Sequence, residues 1–168
     1  PVIERLARMG DPGKVKFTMP KLSDRSLDFS FSGMKTAALR YLKELDFPQL
    51  ETRSLEGLEE LPTEVLELAA GFQQAVIDQL IDRIDRNLIE KPALSIHISG
   101  GVSCNETLRT QVREHFSRRS IPVYYPEKSL TTDNAAMIAA AAYYRLKSGQ
   151  RDSWSLGADP NLRLQERL

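Results

Sequence analysis

Apolar positions along the chain follow two rhythms. Between Thr63 and Glu90 they step by three and four, placing Val65, Ala69, Phe72, Val76, Leu80, Ile84 and Leu88 on one stripe. That spacing predicts an amphipathic helix, with Glu64 and Glu67 favouring its positive N-terminal end. About 27 residues at roughly 1.5 Å each give a helix roughly 40 Å long. Such a helix must pack along a substantial partner.

Before it, Val2 to Met9 places Ile3, Leu6 and Ala7 on one face of a short helix, ended by Gly10, Pro12 and Gly13. Phe17, Met19 and Pro20 suggest an extended piece. Leu27 to Ser32 alternates aromatic with small or charged residues and predicts a half-buried strand. A helix then starts at Gly33 and carries Met34, Ala37, Ala38, Tyr41, Leu42 and Leu45. The acidic, irregular stretch Pro48 to Pro62 is a connector.

After Pro92 the rhythm changes to alternation of strand and helix. Leu94, Ile96 and Ile98 alternate with Ser95, His97 and Ser99, which predicts a strand over 94–99. Gly100 and Gly101 end it, because glycine admits backbone angles that other residues avoid. Asn105 can cap a helix running to Arg119 and carrying Leu108, Val112 and Phe116. A short strand near Ile121 to Tyr125 and a helix from about Asp133 to Lys147 follow. Strands and helices in this order predict an α/β fold with a mainly parallel sheet. The last helix is rich in alanine from Ala135 to Ala142, which allows close approach of another element. Beyond Gly149 there is little periodicity, and the chain holds neither an internal repeat nor a low-complexity segment.

Composition narrows the function classes. The 168 residues suit one domain of ordinary size, and 27% charged residues beside 41% hydrophobic ones suit a soluble globular protein. Lys plus Arg and Asp plus Glu are both 23, so no global field announces a nucleic acid or an acidic substrate. Arg118, Arg119 and Lys128 are the candidates for a local basic patch, or simply a solvated surface. Cys104 is the single cysteine, which excludes an intramolecular disulfide and favours a reducing, cytoplasmic compartment. No apolar run approaches the roughly 20 residues needed to span a bilayer, and no signal peptide is present. The chain begins at Pro1 without an initiator Met, as a fragment would.

The glycine turn is the leading candidate for chemistry. Exposed N–H groups at a glycine turn and a helix N-terminus favour an anion such as a phosphate, although the same pattern also serves simply to turn a corner. Asp133, in Thr131-Thr132-Asp133-Asn134, either caps the last helix, as Thr132 also could, or offers a carboxylate to a metal or phosphate. One carboxylate cannot hold a metal by itself. His97, on a strand and expected to be buried, and His115, on the Leu108 and Val112 face, give it little help. Lys35 follows a strand-to-helix turn where an ammonium could face an anion, and Glu4 lies on the opening helix, where a surface glutamate is the default. Cys104 has no histidine placed by sequence to act as its base. Trp154 and the Tyr124-Tyr125 pair read as packing residues rather than a base-stacking platform.

Four segments in order, PVIERLA at 1–7, LDFSFSGMKTA at 27–37, ISGGVSCNETLR at 98–109 and TTDNAAMIAAAA at 131–142, together resemble one family. They look like the C-terminal half of the TsaD proteins, also called Gcp and, in eukaryotes, OSGEP. The DFSFSG wording is similar to the bacterial branch. The resemblance runs from Pro1 to about Gly149, leaving 150–168 as a C-terminal tail, with a helical section over about 33–91 and a strand-helix section over about 93–147.

The resemblance implies one lobe of an actin-like (ASKHA) ATPase fold with helical additions, the N-terminal lobe being absent. It implies a cytoplasmic enzyme that transfers threonylcarbamoyl from threonylcarbamoyl-adenylate to N6 of adenosine 37 in tRNA and releases AMP. It also implies ATP or that adenylate as nucleotide ligand, one divalent metal (iron or zinc), and TsaB-like and TsaE-like partners. By resemblance Glu4 contacts the ribose, Gly100 and Gly101 line the nucleotide, Asn105 contacts the nucleotide or adenylate, and Asp133 ligates the metal. Lys35 is a possible contact for an anion or tRNA. The family's paired metal histidines lie in the half that this chain lacks, so the chain alone is expected to be inactive and to expose faces through which it self-associates. A second reading is a non-catalytic nucleotide-binding or dimerisation module of the actin-like class. A third, another actin-like enzyme such as a sugar kinase, is opposed by the LDFSFSGMKTA segment. The older description of the family as endopeptidases would want an HExxH, which is not present.

Overall fold

The computed structural model describes residues 2–18, 29, 31–45, 61–155 and 157. They belong to two compact units, Pro1–Thr131 and Thr132–Leu168.

The first unit is built around a long helix. α1 (Val2–Ala7) buries Glu4, Leu6 and Ala7, whereas Ile3 is 46% exposed, so a carboxylate takes the place that the periodicity assigns to an isoleucine. The cause is a tie to residues a hundred positions away, described below. α2 (Ser32–Glu44) follows the prediction from Gly33 and buries Met34. Ser32 opens this helix, so it does not end a strand. The remainder of the predicted 27–32 strand lies outside the described residues except for Phe29 and Phe31, whose rings stack 5.7 Å apart. Of the 48–62 connector only Leu61 and Pro62 are described.

α3 (Thr63–Glu90) has 28 residues, so it is about 42 Å long. It buries Val65, Leu68, Ala70, Gly71, Ala75, Ile77 and Leu88, and also the polar Gln79 and Arg83. Ala69, Phe72, Val76, Leu80 and Ile84, five of the seven residues of the predicted stripe, are only partly buried. The helix is clasped on more than one face, which widens its buried surface beyond one stripe. On one face the 10–18 segment crosses it backbone to backbone. A Cβ on Gly71 would stand 2.0 Å from the Val15 carbonyl oxygen, and one on Gly10 would stand 2.1 Å from that of Leu66. Phe17 then meets Phe72 edge-on at 5.6 Å.

On another face Ile77 and Leu88 join Ile96, Leu108, Val112 and Phe116 in the main core. The last three come from α4 (Glu106–Ser117), whose apolar positions recur at four, as predicted. Polar ties lock the two helices at the rim of that core. Gln74 and Gln111 exchange amide hydrogen bonds of 2.8 Å. Asp85 receives both His115 Nε2, at 2.6 Å, and the Arg119 guanidinium.

β1 (Ile96–His97) and β2 (Val123–Tyr124) pair in parallel, Ile96 opposite Val123 and His97 opposite Tyr124. The parallel relation follows the predicted alternation, but both strands are shorter than predicted, and Leu94 is 94% exposed. His97 is exposed rather than buried; its ring stacks on Tyr124 at 5.0 Å, because within this strand only Ile96 points into the core.

The second unit contains α5 (Ala135–Lys147), none of whose residues is buried. Its N-cap is Asn134, whose Oδ1 accepts from Met137 N–H at 2.9 Å, so neither Asp133 nor Thr132 caps it. Among the described residues no helix is long and apolar enough to cross a membrane. The described fold is a helix-rich α/β arrangement with a small parallel sheet.

Candidate functional site

After β1 the backbone turns at Gly100 with φ of +89°, a left-handed conformation that a side chain would strain. Gly101 opens a single 3-10 turn, Gly101–Cys104, closed by Ser103 N–H on the Gly100 carbonyl at 2.9 Å. Asn105 is extended, and its Oδ1 accepts from Leu108 N–H at 3.0 Å, which makes it the N-cap of α4 as the sequence predicts. The first N–H groups of such a turn have no intrahelical acceptor and are free to face an anion.

Glu4 arrives at the same place from the other end of the unit. Its Oε1 accepts from Glu106 N–H at 2.9 Å and from Arg8 Nη2 at 2.9 Å. A carboxylate at a helix N-terminus is stabilised by the macrodipole, which explains why an ionisable residue is 93% buried here. Asn105 Nδ2 in turn donates to Gln73 Oε1 on α3 at 2.7 Å. Glu4, Gln73, Val102 and Asn105 thus line one cavity of about 210 Å³, whose remaining walls are apolar and include Ile3 and Phe72. Two of the residues singled out in the sequence, Glu4 and Asn105, meet at the start of α4, and the Gly100-Gly101 turn precedes it by one 3-10 turn.

Gln73 escaped the sequence reading. Its only signal was an amide next to Phe72 at the edge of an otherwise apolar stripe.

The flanks are charged and paired. Lys128 bonds the Glu106 carboxylate and holds its pKa below the ordinary range, the hydrogen bond and the ammonium charge both outweighing desolvation. Tyr125 lies under the Arg109 guanidinium at 4.9 Å and near that of Arg113 at 5.5 Å. Burial raises the pKa of its hydroxyl, and the two arginines offset part of that rise. Arg109 is further tied to the Ser103 and Pro126 carbonyls, which braces the turn against the segment after β2. Of the three residues expected as a basic patch, Arg119 and Lys128 are engaged with carboxylates.

Other candidates lie elsewhere. Lys35 is exposed in the first turn of α2 and borders a separate apolar groove with Ile3, Leu39 and Leu42. Asp133 belongs to the second unit, where it is exposed. Among the described residues no three His, Cys, Asp or Glu side chains are grouped to hold a metal. Cys104 Sγ lies 3.0 Å from Thr131 Oγ1, a hydroxyl and not a base.

Comparison with known proteins bears on what such a site serves. The family model described as TsaD, tRNA N6-adenosine threonylcarbamoyltransferase, matches residues 1–140. Relatives with that description include one from Clostridium perfringens, 38% identical over 167 residues that cover 99% of this chain and 46% of the relative. One from Koribacter versatilis is 34% identical over 194 residues, covering 98% and 50%, and one from Clostridium beijerinckii is 35% identical over 167 residues, covering 99% and 46%. The chain spans about half the length of the curated relatives it matches. Because the matched region contains the whole glycine-turn unit and runs on into α5, the chain belongs to the TsaD family of tRNA N6-adenosine threonylcarbamoyltransferases.

Proposed function

We propose that this chain is the C-terminal part of a tRNA threonylcarbamoyltransferase, one lobe of an actin-like fold, and that it contributes one wall of a nucleotide site. The carrying observation is that Glu4 and Asn105 both bond the first turn of α4, which the Gly100-Gly101 turn precedes by one 3-10 turn, in a member of this family. Bound nucleotide is ATP or threonylcarbamoyl-adenylate, and the complete protein works in the cytoplasm with tRNA and with TsaB-like and TsaE-like proteins.

The geometry supports a part for each residue. Glu4 Oε1 is saturated by Glu106 N–H and Arg8, which aims the carboxylate and leaves Oε2 to accept from a ribose hydroxyl. The turn at Gly100 and Gly101 lets a phosphate approach bare backbone N–H groups in the field of a helix N-terminus. Asn105, fixed by its cap bond, keeps one Nδ2 proton for the ligand. Placing the adenylate rigidly is how these residues promote attack by the adenine N6, since positioning removes entropy from the barrier.

Asp133 is the one carboxylate proposed to reach the family's metal, and the histidines that complete that centre belong to the other half. A metal near the phosphates would polarise the leaving adenylate.

The test is transfer of the threonylcarbamoyl group, labelled in its threonine part, from threonylcarbamoyl-adenylate to tRNA by the complete protein with its partners. Incorporation at an adenine N6, absent with this chain alone, is the expected result. A complete protein that binds ATP but never modifies tRNA would overturn the proposal.

A further inference from the structure

Asn105 makes two opposed demands on its own amide. Its Oδ1 is taken by Leu108 N–H at 3.0 Å, which fixes the amide plane and turns Nδ2 toward α3. There Gln73 meets it with Oε1 at 2.7 Å. Only this orientation works, because a flipped Gln73 would set two N–H groups against each other. The cap alone leaves the Asn105 side chain anchored at one point; Gln73 adds the second point that stops it from rotating about that bond.

Gln73 is well placed to hold it. It sits midway along α3, between Phe72, which is braced by Phe17, and Gln74, which is locked to Gln111 on α4. It lines the same cavity as Glu4 and Asn105. We infer that Gln73 is a positioning residue of the nucleotide site, which acts through Asn105 by fixing the direction of its remaining Nδ2 proton.

The inference rests on the nucleotide site proposed above, and its test separates the two. ATP is titrated into the complete protein as wild type, Gln73→Leu, Gln73→Glu, Asn105→Ala and the Gln73→Leu/Asn105→Ala double variant, at physiological salt. Gln73→Leu removes the acceptor and should weaken ATP binding about tenfold, a coupling of ordinary size for residues in direct contact. Gln73→Glu keeps an acceptor for Nδ2, and its affinity for adenosine, which has no phosphates for the added carboxylate to repel in this partly buried cavity, should remain within about threefold of wild type. In the Asn105→Ala background, Gln73→Leu should change nothing further. Melting temperatures of the two Gln73 variants should agree, so that a loss of folding is not mistaken for a loss of binding. An equal loss with and without Asn105 would overturn the positioning role in favour of direct contact, and an unchanged affinity for Gln73→Leu would overturn any role. A wild-type protein that binds no ATP would instead defeat the nucleotide reading itself.

Discussion

Asp133 and Asn134 are both residue types that cap helices, and they stand side by side. The backbone decides between them: Asn134 has φ of −149° and ψ of 156°, the extended geometry of a cap, and its side chain reaches back to Met137 N–H. Asp133 is therefore released from structural work. Asn134→Ala should cost the chain about 1 kcal/mol, the usual value of a lost cap. Asp133→Ala should change stability by less than about 0.5 kcal/mol, as exposed substitutions do, while metal bound to the complete protein is lost. Urea unfolding of both variants together with metal analysis checks this. If Asp133→Ala retained full metal occupancy, Asp133 would have no part in the centre.

At the scale of elements the 10–18 segment crosses α3 too closely to admit a side chain at Gly71. Gly71→Ala would drive a methyl carbon to within 2.0 Å of the Val15 carbonyl oxygen, a backbone atom that cannot swing aside. The expected loss is about 1–3 kcal/mol, typical of overpacking, read as a lowered urea midpoint. An unchanged midpoint would mean that the segment lifts off α3 at no cost. Elements with a local signature were legible in the sequence. α3 and α4 announced themselves by periodicity, α4 by its Asn105 cap, and the parallel pairing by strand and helix alternation. What was hidden depended on distant residues. The burial of Glu4 is set by Glu106, which no pattern in 1–9 can encode, and the buried Gln79 and Arg83 reflect a second covered face of α3. Strand lengths were overread because alternation continues at Leu94 past the point where a partner strand exists. The candidate site was half legible: the glycine turn and Asn105 could be read from local chemistry, and Glu4 only from resemblance. Gln73 could be read from neither, since its role needs α3 laid against the turn.

For the molecule as a whole, the question is what its apolar surface does when only about half of a family member's length is present. α5 buries none of its residues, and Met137, Ile138, Tyr143, Tyr144 and Leu146 are each about half or more exposed. A soluble chain rarely leaves a contiguous apolar face of more than a few hundred Å² uncovered. Its alanines, from Ala135 to Ala142, allow a second backbone to come close. The isolated chain should therefore self-associate, and sedimentation should show an average mass that rises with concentration while a hydrophobic dye brightens on binding. Met137→Glu and Tyr144→Glu lie seven residues apart on one side of α5, so together they place two charges on the same face. That pair should restore a monomer and remove the dye signal while circular dichroism keeps the helix content of the wild type. A chain that stays monomeric at high concentration and ignores the dye would show that the face of α5 is covered within this half.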